Sequence, residues 1–203
     1  MKSSHSLGLF TLALSLSMSS AWAAKVGQPA PEFTGQDNHG KTISLSQLKG
    51  KYVVLEWHND ECPYVKTQYN TGHMQKAQKE WTGKGVVWLS VASSARGAEG
   101  HLDAKSANAD IVATHASPTA VLLDESGAIG HAYDAKTTPH MFVIDPKGTL
   151  IYNGAIDDSA DHDQSDVTDK SVNYVSLALA EAMAGKPLSH PTTQPFGCSV
   201  KYK

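Results

Sequence analysis

The short apolar run from Tyr52 to Trp57 constrains this chain more than any other segment, because of what brackets it. Gly50 precedes it and the polar cluster Asn59, Asp60, Glu61 closes it, so it reads as a buried central strand followed by a turn. Cys62 and Pro63 come next. Proline suits the first helical position, where a missing N–H is no loss, so a helix is expected to begin here, with Cys62 at or beside its N-cap and Tyr64, Val65 and Tyr69 inside it. The junction of a central strand and a helix start therefore carries a thiol.

The rest of the chain repeats short strands and helices around that unit. Val26 to Phe33 is proline-rich and extended, and the Asn38-His39-Gly40 turn leads into Ile43, Ser44 and Leu45, which predicts an amino-terminal hairpin. Val86 to Val91 reads as a second strand, and His101 to Thr114 as a surface helix. Ala120 to Asp124 and Met141 to Asp145 are further short strands, each followed by a glycine-containing turn. The turn Pro146-Lys147-Gly148 joins Met141–Asp145 to Thr149–Ile156 as an antiparallel hairpin. Val172 to Met183 places Val172, Val175, Leu179 and Ala182 on one helical face, and Gly185 with Pro187 stops it. The prolines at 187, 191 and 195 then predict an extended tail, with Cys198 on it. The expectation is an α/β fold: a mixed central sheet flanked by helices, with an amino-terminal hairpin and an extended carboxy-terminal tail.

Residues 1–23 read as an export signal: Lys2, an apolar run from Leu7 to Met18, and the small-residue triplet Ala21-Trp22-Ala23. That apolar core of about 12 residues is well short of the roughly 20 that span a bilayer, so no membrane span is expected after cleavage. Residues 24–185 are expected to form one domain and residues 186–203 the tail. A net charge of −3 gives no basic patch for nucleic acid or for an acidic membrane surface. An exported protein, periplasmic or secreted, meets an oxidising compartment where the two cysteines, Cys62 and Cys198, can serve as a structural staple or as a redox couple. At a helix start the unpaired N–H groups and partial positive charge favour a thiolate at Cys62, while the carboxylates of Asp60 and Glu61 oppose it.

Strand Val53–Trp57, Cys62-Pro63-Tyr64-Val65 on a helix, and Thr138-Pro139 before a strand together resemble the thioredoxin-like redoxins over about residues 26–184. With the terminal Gly197-Cys198-Ser199-Val200-Lys201, the chain looks more closely like the peroxiredoxin-like branch of the alkyl hydroperoxide reductase and thiol-specific antioxidant family. The resemblance implies a thioredoxin-like fold and an oxidoreductase acting on thiols, disulfides or peroxides, with antioxidant character and no cofactor. It makes Cys62 the nucleophile, with Val65 standing where thioredoxin has its second cysteine. Glu56 takes the place of thioredoxin's buried acid and would shuttle the thiol's proton, or else pair with a nearby lysine. Pro139 matches the cis-proline that faces the cysteine and would shape the substrate groove, with His140 in reach to assist proton transfer. Cys198 becomes the candidate resolving thiol and a Cys62–Cys198 disulfide the product, a permanent staple being the other reading of the pair. The partners so implied are a disulfide-bearing protein or a small peroxide, and a thiol reductant.

Leu55 and Asn59 occupy the positions where peroxiredoxins carry Pro and Thr, and the single arginine is Arg96, after the second strand. Glu61 replaces the tryptophan that precedes thioredoxin's first cysteine. Ten histidines leave a second class open, a copper-binding carrier using Cys62, His58 and His140, although such carriers place two cysteines in the motif. His73, His101, His115 and His131 are read as surface or loop residues, and Trp57, Trp81 and Trp88 as core. The aspartates from Asp157 to Asp169 lack the turn glycine and closing glutamate of a calcium loop and are read as a solvated acidic loop.

Overall fold

The computed structural model describes residues 24–159 and 171–203. The expected export signal and the acidic stretch from Asp161 to Asp169 lie outside the described residues. No helix among the described residues is long and apolar enough to cross a membrane.

The apolar run becomes strand β3 (Val53–Trp57), every residue of which is buried. It is central: β4 (Val87–Ala92) runs parallel on one side and β7 (His140–Ile144) antiparallel on the other. Burial on both faces explains its continuous apolar character, and the one polar residue within it, Glu56, needs internal partners. With the hairpin of β1 (Thr34–Asp37) and β2 (Thr42–Ser44), and with β5 (Ala120–Leu123) and β8 (Leu150–Gly154), the sheet has seven strands in the order β2-β1-β5-β4-β3-β7-β8. β5, β4 and β3 are parallel and the rest antiparallel, the mixed thioredoxin-like sheet that the sequence leads one to expect.

Alternation along β3 divides the core in two. Val53, Leu55 and Trp57 point into one cluster with Phe142, Ile129 and Tyr133. Val54 points into the other, with Cys62, Val65, Tyr69, Met74, Trp81, Trp88 and Leu179. The second cluster is roofed by α1 (Pro63–Asn70), α2 (His73–Gly83) and α5 (Tyr174–Met183). The expected surface helix is α3 (Ala104–Thr114), whose one buried residue is Ala107.

The sequence reading does not give two helices. α2 follows α1 after a break at Gly72 (φ 79°), a left-handed angle that side chains rarely adopt. Its buried stripe of Met74, Ala77, Gln78 and Trp81 is diluted by lysines, glutamines and Glu80. α4 (Ala128–Tyr133) has only six residues, too few for a visible period. α5 begins at Tyr174, not Val172, because Asn173 caps it by accepting from Ser176 N at 2.8 Å. Val172 consequently lies outside the helix and is exposed.

The tail is extended, as expected, and is bound along its length. Thr192 bridges in parallel to Asn153 on the β8 edge, and β9 (Cys198–Ser199) pairs antiparallel with β6 (Thr137–Thr138) as a separate two-stranded sheet.

Candidate active site

Cys62 is the N-cap of α1, with an extended backbone (φ −68°, ψ 125°), and Pro63 takes the first helical position. Its side chain is fully buried. The sulfur lies 3.1 Å from the Thr138 carbonyl oxygen, which the thiol form donates to, and 2.7 Å from Cys198 Sγ. Both cysteines are free thiols. The Thr138-Pro139 peptide bond is cis, at the position the sequence reading assigns to it, and Pro139 is buried beside β6.

The β6–β9 pairing sets this geometry: its register puts Thr138 opposite Cys198, so one short ladder delivers the tail thiol to the helix start. Gly197 makes the approach feasible, since its φ of 140° suits glycine and a Cβ there would collide with the Thr138 carbonyl. Phe196 meets the ring of Tyr64 edge-on at 6.0 Å and closes the cover over Cys62.

The two thiols differ in acidity. Burial disfavours the Cys62 thiolate, but hydrogen bonding from the Cys198 and Thr138 side chains, with the Val65 and Cys198 amides, outweighs it and lowers the Cys62 pKa below the usual thiol value. Cys198 is pushed up to about 12, first by burial and then by Cys62 itself. Cys62 is therefore the more acidic thiol of the pair. Glu61 is exposed, where water screens the charge that the sequence sets against the thiolate.

Glu56 is buried, as thioredoxin's acid is, and no lysine among the described residues pairs with it, which removes the second of its two readings. Oε1 accepts from Tyr69 Oη at 2.7 Å, and Oε2 from Trp88 Nε1 at 2.7 Å, Gln78 Nε2 at 2.9 Å and Ser90 Oγ at 3.3 Å. His58 is buried between two carboxylates. Its Nε2 lies 3.0 Å from Asp110 Oδ2, and its Nδ1 lies 3.7 Å from Glu56 Oε1, an ion-pair distance too long for a hydrogen bond. Burial pulls the imidazole pKa down, but Asp110 and then Glu56 more than offset this and raise it to about 10. Burial likewise opposes ionisation of Glu56, and His58, Trp88 and Tyr69 reverse it, so its pKa falls below the ordinary carboxylate value.

His140 is turned away from Cys62. It pairs across the sheet with Trp57 and packs on Phe142 at 4.4 Å, on the opposite face. Its Nε2 lies 2.8 Å from Asn153 Oδ1 and its Nδ1 accepts from Lys136 N at 3.2 Å, so both ring nitrogens are committed. Burial lowers its pKa to about 4. The set Cys62, His58 and His140 is thus not brought together, because two sheet faces and the two carboxylates around His58 separate its members. Among the described residues no three His, Cys, Asp or Glu side chains converge as a metal site would require.

Leu55 sits in the core, Asn59 spends its side chain on Glu61 N and Glu99 O, and Arg96 is exposed and bidentate on Glu125. Of the acidic stretch, Asp157 is buried and accepts from Gln68 Nε2 at 2.8 Å, so it is no part of a solvated loop. The sequence reading missed Tyr69, Gln78 and Asp110 as partners of the buried charges. Tyr69 and Gln78 at i and i+9 come from two helices whose break it did not locate.

A helix-start thiol with a cis-proline opposite, on this sheet, defines the thioredoxin-like class of redoxins. Within that class the chain belongs to the AhpC/TSA family, whose pattern matches residues 26–153. The thiol-disulfide oxidoreductase ResA of Bacillus subtilis is 29% identical over 139 residues, covering 68% of this chain and 72% of that protein. Chloroplastic peroxiredoxin Q of Populus jackii is 32% identical over 165 residues, covering 75% of this chain and 72% of that protein. A crystal structure of an uncharacterized conserved protein from Geobacillus kaustophilus matches with a TM-score of 0.76 at 24% identity, over 88% of this chain and 93% of that one, a likeness of fold.

Proposed function

We propose that this chain is an exported thiol-disulfide oxidoreductase in which Cys62 is the nucleophile and Cys198 the resolving thiol. The observation that carries the reading is the approach of the two sulfurs to 2.7 Å at a helix start, where Cys62 is the more acidic of the two. The Cys62 thiolate attacks one sulfur of a substrate disulfide, forms a mixed disulfide and expels the other sulfur as a thiolate. That thiolate takes the Cys198 proton. Cys198 then attacks the Cys62 sulfur, which releases the second substrate thiolate and leaves a Cys62–Cys198 disulfide for a thiol reductant to reopen.

Because the cover over Cys62 includes Phe196, Gly197 and Cys198, the tail must lift for substrate to enter. Pro139 borders the opened groove. The Cys62 and Cys198 thiols carry the proton between them in this scheme, and Glu56, saturated by four donors, fixes the charge beneath α1 and α2. A peroxide would react by the same attack, giving a sulfenic acid on Cys62 and an alcohol or water, after which Cys198 would expel water. This branch would give the chain its antioxidant character, and it proceeds without the peroxiredoxin threonine, whose place Asn59 takes, and without an arginine at the thiol. The leader of residues 1–23 supports export to the periplasm or beyond.

The test is turnover of glutathione disulfide and of hydrogen peroxide by the purified mature chain with dithiothreitol as reductant. Cys62→Ser is expected to abolish both activities, and Cys198→Ser to accumulate a mixed disulfide or sulfenic acid on Cys62, read by mass spectrometry. Unchanged turnover in Cys62→Ser refutes the assignment.

A further inference from the structure

Two residues of β6–β9 ladder are little to hold a flexible tail in register, so the tail needs anchors on both sides of Cys198. Upstream, Thr193 Oγ1 lies 2.6 Å from Tyr152 Oη and accepts from Ala155 N at 2.9 Å, against the open side of Gly154. Downstream, Val200 N donates to Lys136 O at 3.0 Å and Ala95 N donates to Lys201 O at 2.9 Å. Next to Lys201 stands an aromatic plug. The Tyr202 ring stacks on His131 at 4.1 Å with planes 28° apart, and its hydroxyl donates to Ala135 O at 2.8 Å. The ring occupies a slot over the first turn of α4 that exists because Gly127 and Gly130 have no side chains, and a Cβ on either would run into it.

Tyr202 touches neither sulfur, yet it closes the strap that carries one of them. We propose that Tyr202 is a positioning residue, a latch whose ring in the Gly127–Gly130 slot sets the effective concentration of the Cys198 thiol at Cys62 and the fraction of time Cys62 is covered. The proposal rests on Cys198 being the resolving thiol. An intramolecular thiol confined to the right place reacts far more readily than the same thiol on a loose tail, and the restraint comes from whatever holds the tail on both sides. Aromatic rings suit this purpose because they cover a large area with few rotatable bonds.

The experiment equilibrates the full mature chain with glutathione buffers. The Cys62 and Cys198 thiols give two electrons and two protons to one glutathione disulfide, which leaves as two glutathione thiols. The equilibrium constant is measured for the wild type, Tyr202→Ala, Tyr202→Phe and Gly130→Ala. In the reduced proteins the rate of Cys62 alkylation by iodoacetamide is measured in parallel, and circular dichroism and tryptophan fluorescence report the fold.

Tyr202→Ala is expected to lower the constant at least about tenfold and to speed Cys62 alkylation by a similar factor. Tyr202→Phe keeps the ring and is expected to stay within about twofold to threefold of the wild type. Gly130→Ala leaves Tyr202 and both cysteines intact at a residue inside α4 and is expected to follow Tyr202→Ala, because the new methyl evicts the ring. Values for Tyr202→Ala and Gly130→Ala within twofold of the wild type overturn the latch while leaving the thiol pair standing. A loss in Tyr202→Phe as large as in Tyr202→Ala also overturns it. A wild-type chain that forms no Cys62–Cys198 bond with glutathione disulfide overturns the resolving role and the latch together.

Discussion

Replacing Glu56 by glutamine tests the buried charge arrangement under the active helix. The amide keeps the shape, and its oxygen can still accept from Trp88, Gln78 and Ser90 while the Tyr69 hydroxyl turns to accept from the new N–H. What is lost is the charge that faces His58, which keeps only Asp110. Removing one side of a buried pair costs about 3–5 kcal/mol, and the surviving partner softens this to about 2–4 kcal/mol at pH 6. The penalty must then depend on pH. His58 has a folded pKa raised to about 10 over an ordinary value near 6.5, so its contribution is full below about pH 6.5 and disappears as pH rises through about 10. In Glu56→Gln the raised pKa falls back, so the gap between the two proteins narrows with pH, to below about 1 kcal/mol at pH 9.5. Urea unfolding followed by tryptophan fluorescence, in reductant, at pH 6, 7.5 and 9.5 measures it. A penalty equal at pH 6 and pH 9.5 refutes the pairing of Glu56 with a protonated His58.

Three other outcomes follow from the geometry. Replacing Cys198 by alanine removes the thiol that hydrogen-bonds to the Cys62 anion, so the Cys62 pKa should rise, read from thiolate absorbance near 240 nm. His140, held neutral with a pKa of about 4, binds no proton between about pH 4 and 6.5 while the unfolded chain does, so stability should rise with pH across that window and His140→Asn should flatten the slope. Leu55→Ala, at a fully buried position in the central strand, should cost about 2–5 kcal/mol in the same urea assay.

Cys62 at a helix start and the hairpin of β7 and β8 were legible in the sequence because each is announced within a few residues, whereas the cis Thr138-Pro139 bond was legible only through the resemblance to the redoxins. A proline after a cysteine, or a lysine and glycine between two apolar runs, carries its own local signal. The partners of the buried charges were not legible. His58 alone suggested a ligand; Glu56 stands two residues before it on β3, and the second carboxylate, Asp110, reaches it only from α3, 52 residues further along the chain. His140 shows the same limit: proximity in sequence to Pro139 brought it near Cys62 on paper, whereas strand alternation sends it to the other face. Tyr202 gave no signal, since its slot is made of two glycines about 70 residues upstream.

The β8 strand is an outer edge of the seven-stranded sheet, and edge strands offer unpaired backbone groups to any neighbouring chain. Here the tail occupies part of that edge: Asn153 N donates to Pro191 O at 3.2 Å and Thr193 N to Asn153 O at 3.2 Å. A lifted or truncated tail would therefore uncover a strand edge along with a thiol. The segment that delivers Cys198 also shields the sheet from pairing with other chains, so loss of the last residues should show first as self-association during storage or refolding.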